Sequence, residues 1–157
     1  MLTVSNTCDR ASSFLAGAIT LLSNTGTPRY TVHVATSNAG LKLDFLQPSD
    51  SSQPSSTLPI LDIVGNTSGG SAELSLQPYF EGLFDISTSP TSQAGFSLGS
   101  TPKDDPLGLG RQQHVDFMTN VKSRKEGRVY WGDLDGERKL GRVELSTSNG
   151  PASLHIQ

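Results

Sequence analysis

The feature that most constrains this chain is a short corner of Thr, Ser, Asn and Gly. It recurs between two stretches in which apolar residues take every second position. Tyr30 to Ala35 leads into Thr36-Ser37-Asn38-Ala39-Gly40, and Leu41 to Phe45 follows. Leu61 to Gly65 leads through Asn66-Thr67-Ser68-Gly69-Gly70 to Leu74 and Leu76. Leu83 to Ser87 leads through Thr88-Ser89-Pro90 to Gly95 and Leu98, and Arg142 to Ser146 leads through Thr147-Ser148-Asn149-Gly150 to Leu154 and Ile156. A looser copy opens the chain, with Leu2 to Ser5 as one arm and Leu15 to Leu21 as the other.

A period of two lines one face of a pleated strand and cannot line one face of a helix. Ser, Asn and Gly at the corners suit the positive backbone angles of tight turns. No long stretch keeps helical spacing without a Gly or Pro, so little helix is expected. Each unit has one apolar face and must bury it against another unit, so the copies pool a core. The expected fold is all-β, an irregular β-sandwich or a short β-solenoid of strand–turn–strand units. It forms a single β-repeat domain over residues 1–157. Because Met1 runs almost directly into a strand, the chain reads as a piece excised from a longer protein. The predicted core is Val32, Val34, Leu41, Leu43, Ile63, Leu74, Leu76, Phe84, Ile86, Phe96, Leu98, Val115, Phe117, Val129, Trp131, Val143, Leu145, Leu154 and Ile156.

Two loops interrupt the pattern, the Ser- and Pro-rich Gln47 to Pro59 and the segment Gly99 to Gly110. His114 to Val121 and Gly127 to Trp131 read as a hairpin closed by Lys122 to Gly127. Asp133 to Gly136 is a further turn.

Charge narrows the partners. The formal net charge is -3, from 12 basic and 15 acidic residues, too small to predict a strongly charged partner. The basic cluster Lys122, Arg124, Lys125 and Arg128 lacks interleaved aromatic platforms, so no nucleic acid is expected; it reads as a solvated hairpin tip that discourages edge pairing. The apolar run Phe14 to Leu22 is too short to span a bilayer. The start lacks the basic region of a signal peptide, which makes an intracellular location the default. Asn66-Thr67-Ser68 is a glycosylation sequon, weak evidence for secretion. Cys8 is the one cysteine, so an intrachain disulfide is excluded and the residue reads as a small apolar filler.

Candidate chemistry is sparse. Gly95-Phe96-Ser97-Leu98-Gly99 matches the serine-hydrolase pattern, with Asp104, Asp105, His114 and His155 downstream. That chemistry needs the serine on a sharp strand-to-helix turn. Here Phe96 and Leu98 continue a strand and place Ser97 in mid-strand facing solvent. His33 and His155 alternate with apolar neighbours and belong on outward faces, where two histidines fall short of a metal site. Asp133, Asp135 and Glu137 resemble the start of a calcium loop without its closing ligands. Of the adjacent pair Tyr130 and Trp131, one belongs in the core and the other on the surface. No catalytic, cofactor-binding or metal-binding residue is therefore assigned, and no cofactor is expected.

Several pieces taken in order carry a resemblance. They are Asn6 with Arg10-Ala-Ser-Ser13, Val34 to Asn38, Phe80-Glu-Gly82 leading into Ile86 to Ser89, Gly108-Leu-Gly-Arg111, Arg128-Val-Tyr-Trp-Gly132 and Thr147 to Gly150. Together they resemble an uncharacterised β-repeat domain common in mushroom-forming fungi, and more distantly the bacterial adhesin repeat domain. The resemblance implies a β-repeat fold and an accessory role in a longer protein, and it supplies no catalytic residues. The chain departs from it at Ser89 to Gln93, where a longer loop replaces the simple corner.

The leading functional expectation is a non-catalytic binding or scaffolding module, adhesin-like, whose Ser, Thr and Asn rows contact a glycan or another protein. One alternative is a hydrolase acting on a sugar or ester, with His114 or His155 gathered beside an acid. Another is weak self-association through exposed β edges.

Overall fold

A computed structural model of the chain describes residues 2–6, 14–20, 29–46, 58–99, 105–133 and 140–157. Cys8, Arg10 to Ser13, most of the Gln47 to Pro59 loop, Asp104, Asp135 and Glu137 lie outside the described residues. The elements are β1 (Leu2–Asn6), β2 (Phe14–Thr20), β3 (Arg29–Thr36), β4 (Gly40–Leu46), β5 (Ile60–Thr67) and β6 (Ala72–Leu76). They continue with β7 (Gly82–Ser87), β8 (Ala94–Leu98), β9 (Gln113–Val121), β10 (Arg124–Trp131), β11 (Gly141–Thr147) and β12 (Ala152–Ile156). The fold is all-β, as the alternation predicts, and among the described residues no helix is long and apolar enough to cross a membrane.

The strands form two sheets. The larger has the order β1-β3-β5-β11-β7-β10-β9, and the smaller β2-β4-β6-β12-β8. Each unit sends its first strand to the larger sheet and its second to the smaller. Its arms therefore do not pair with each other. Pairing runs from unit to unit and is parallel, for example β3 with β5 and β4 with β6. The final unit, β11–β12, is inserted between β5–β6 and β7–β8.

This corrects the expectation of tight turns at the corners. They are bends that carry the chain from one sheet to the other. Only Asn38 among the described corner residues takes a positive φ, of 145°. The corner glycines serve close stacking instead: a Cβ on Gly70 would lie 2.5 Å from Gly40 N, and one on Gly150 would lie 2.4 Å from Gly70 O. Buried threonines tie the stacked corners together. Thr67 Oγ1 donates to Ala39 O at 2.6 Å, and Thr147 Oγ1 donates to Gly70 O at 2.8 Å.

Inward residues of both sheets meet in one core that includes Val34, Leu41, Ile63, Leu74, Ile86, Leu145 and Leu154. Phe84 of β7 stacks on Phe96 of β8 across the interior, with ring centroids 4.7 Å apart. Most predicted core residues are buried, Trp131 among them. Two are not: Leu98 is 38% exposed and Phe117 42%. Phe96 and Val115 are only partly buried. All four sit on β8 or β9, which are the last strands of their sheets, so no further described strand covers them.

The β9–β10 hairpin forms, but its connection is shorter than predicted. Only Lys122 and Ser123 separate the strands, and a bulge falls between Glu126 and Gly127. Glycine is required at the bulge, because a Cβ on Gly127 would lie 2.3 Å from Asp116 O. Three members of the basic cluster consequently sit on β10 itself. Arg124 pairs with Asp85 at 2.8 Å, Arg128 pairs with Asp116 at 2.9 Å, and Lys125 donates to Asn120 Oδ1.

Candidate functional site

Parallel stacking turns sequence alternation into rows. On the outer face of the smaller sheet, β4, β6, β12 and β8 align Asp44 with Ser75, Ser75 with His155, and His155 with Ser97. A second row aligns Lys42, Glu73, Ser153 and Gly95. Neighbouring strands lie about 4.8 Å apart, so the Asp44-to-Ser97 row spans roughly 14 Å.

His155 is the hub. Its Nδ1 lies 2.6 Å from Ser97 Oγ, and its Nε2 lies 3.1 Å from Ser153 Oγ. A neutral imidazole donates from one nitrogen and accepts at the other, so the two hydroxyls fix the ring between them. Each hydroxyl keeps hydrogen-bonding capacity toward solvent. The other described polar side chains on this face are short, apart from the Lys42–Glu73 pair at 3.4 Å.

A cavity of about 240 Å³ opens at the Asp44 end of the row. It arises because β4 and β6 part there. Their register ends at Asp44 with Ser75, so the rung that would join Phe45 to Leu76 is missing. The chain then turns away through Gln77 and Pro78, while Gln157 N donates to Leu76 O on the other side at 3.1 Å. Asp44, Phe45, Ser75, Leu76, Gln77, Pro78 and Gln157 line the space. Gln77 is only 9% exposed, and its amide nitrogen has no hydrogen-bond partner among the described residues.

The outer face of the larger sheet differs in kind. Its charges neutralise one another in pairs, including Arg29 with Asp62 and Arg142 with Glu144. Such exposed pairs add little stability and leave little free polarity. His33 projects from this face, so it lies on the opposite side of the fold from His155. His114, also here, stacks on Tyr130 with centroids 5.3 Å apart. Tyr130 donates to Asp116 at 3.2 Å. Desolvation, followed by this hydrogen bond, raises its pKa above the ordinary phenol value. Among the described residues no group of three or more His, Cys, Asp or Glu side chains is placed to hold a metal.

Ser97 faces solvent in mid-strand, as its alternation predicts. Sequence reasoning missed its contact with His155, which lies 58 residues away and meets it only through the β8–β12 register. Asp105 was weighed as a hydrolase acid but serves elsewhere. Its carboxylate, 1% exposed, accepts from Leu107 N, Leu109 N and Arg111 N and from two nitrogens of the Arg111 guanidinium. Gly108 and Gly110, at φ of 67° and 68°, let the loop wrap the carboxylate. The Arg111 hydrogen bond is the main cause that holds the Asp105 carboxyl far below the usual range. Arg111 also approaches Glu81 at 3.7 Å, and Glu81 accepts from Trp131 N at 3.0 Å. Three segments that carried the resemblance thus converge on one clamp, spent on holding the loop to β10.

Comparison with known family models, with curated proteins and with solved structures finds no match to this chain.

Proposed function

We propose that this chain is a non-catalytic glycan-binding module whose recognition surface is the outer face of the smaller sheet. The observation that carries the reading is the row Asp44, Ser75, His155 and Ser97, with His155 fixed by Ser97 and Ser153. A polyhydroxyl ligand needs donors and acceptors at fixed spacing on a surface that costs little entropy to order. Short side chains on a rigid sheet meet that need. Among the described residues the face lacks the basic excess that phosphate backbones require and the aromatic or Arg anchors typical of a protein interface.

A glycan array tests the proposal. The wild-type chain is expected to bind a subset of neutral oligosaccharides, and the Ser97→Ala/His155→Ala variant to lose at least about tenfold in affinity, equivalent to one or two hydrogen bonds. An array that stays blank for the wild type, or binding unchanged in the variant, overturns it.

The Ser97–His155 contact favours a second reading, an ester hydrolase with Ser97 as nucleophile and His155 as base. Against it, the other ring nitrogen meets a hydroxyl where a triad places a carboxylate. Labelling of Ser97 by a fluorophosphonate, abolished by His155→Ala, would replace the binding reading with the hydrolytic one.

A further inference from the structure

The fork between β4 and β6 opens a cavity at one end of the row, and its reading rests on the glycan-binding proposal. We infer that its cavity is a subsite for a single sugar ring, the anchoring end of a longer glycan laid along the row. The cavity, about 240 Å³, is smaller than the ~300 Å³ and upward of drug-sized sites and suits one small ring. Its walls have the two characters that a pyranose has. Pro78 offers apolar surface to the C–H face of a ring, Asp44 and Ser75 offer polar atoms to its edge, and the Gln77 amide nitrogen lies buried in the wall.

Gln77 is the residue that points to a ligand. A nine-tenths buried amide nitrogen without a hydrogen-bond partner among the described residues costs free energy. Such groups are rare in folded proteins. A ligand hydroxyl or ring oxygen in the cavity gives the amide an acceptor after a small side-chain rotation. Asp44 accepts from ligand hydroxyls, and Ser75 links the subsite to His155 in the next strand. The missing rung between Phe45 and Leu76 makes this the one described point on the row where a ring enters the sheet instead of lying across it.

The test is a titration of the full isotopically labelled chain, followed by amide NMR, with methyl α-glucoside, methyl α-mannoside and methyl α-galactoside. At least one glycoside is expected to move the Gln77 side-chain amide pair together with the backbone amides of Ser75, Leu76 and Gln157, in a saturable way. Gln77→Leu keeps the volume and removes the donors, and it is expected to weaken that glycoside about tenfold or more. Arg142→Ala, on the outer face of the larger sheet, is expected to leave that glycoside's affinity within about twofold. If no glycoside moves the Gln77 amide in the wild-type chain, the subsite is overturned without recourse to any variant. Array binding that is lost in Ser97→Ala/His155→Ala but unchanged in Gln77→Leu also overturns the subsite while leaving the sheet-face reading intact. No binding in either assay overturns both.

Discussion

Asp105 concentrates more bonding on one side chain than any other described residue on the surface loops. Five donors converge on its carboxylate, three from backbone nitrogens and two from Arg111. Asp105→Asn removes the charge that organises them and is expected to cost about 3 kcal/mol in urea unfolding at neutral pH. The folded carboxyl titrates below the unfolded one, so its contribution is fully present above the unfolded value, near 4, and falls away as pH drops below it. Wild-type stability should therefore decline from about pH 4 downward, and Asp105→Asn should flatten that decline. Little of this was legible in the sequence. The clamp sits in an aperiodic loop, where only Gly108 and Gly110 hinted that the backbone curls around something. Ser97 was read correctly as a solvent-facing strand residue. Its partner was not, because spacing along the chain does not reveal which strands become neighbours.

At the scale of the elements, the strands were legible and the corners were half legible. Alternation places most described strands within a residue or two of their observed limits, because a half-buried strand leaves no other pattern; β10 is the exception and begins at Arg124, three residues before the predicted Gly127. The corner composition was equally visible, but hairpin turns and bends between sheets both favour Ser, Asn and Gly. What separates them is whether the arms pair with each other, a property of the assembled fold. The threonines that end β3, β5 and β11 make a direct test. Thr147 donates to Gly70 O and accepts from Gly150 N, so Thr147→Val is expected to cost about 1–2 kcal/mol. The buried Thr36 hydroxyl has no partner among the described residues, so Thr36→Val is expected to be neutral or slightly stabilising. Denaturant midpoints of the two variants check the contrast, which composition alone would not predict.

For the molecule as a whole, the inserted β11–β12 unit supplies most of the contact between its halves. β11 is bonded to β5 on one side and β7 on the other, and β12 likewise joins β6 to β8. The last unit of the alternating pattern was recognised in the sequence, but its place in the stack was not, since nothing in a repeat states its rank. Removing residues 141–157 is expected to abolish the fold, not to shorten it by one layer, with loss of the β-sheet circular dichroism and of dispersed amide signals. A truncated chain that kept both would show that the halves close on each other unaided. The order of manufacture and the order of assembly therefore differ in this protein. A ribosome delivers the keystone after the stones on either side of it, so the nascent chain waits as two separate pieces of masonry. Protease protection of those pieces should appear together, and only once β12 has cleared the exit tunnel.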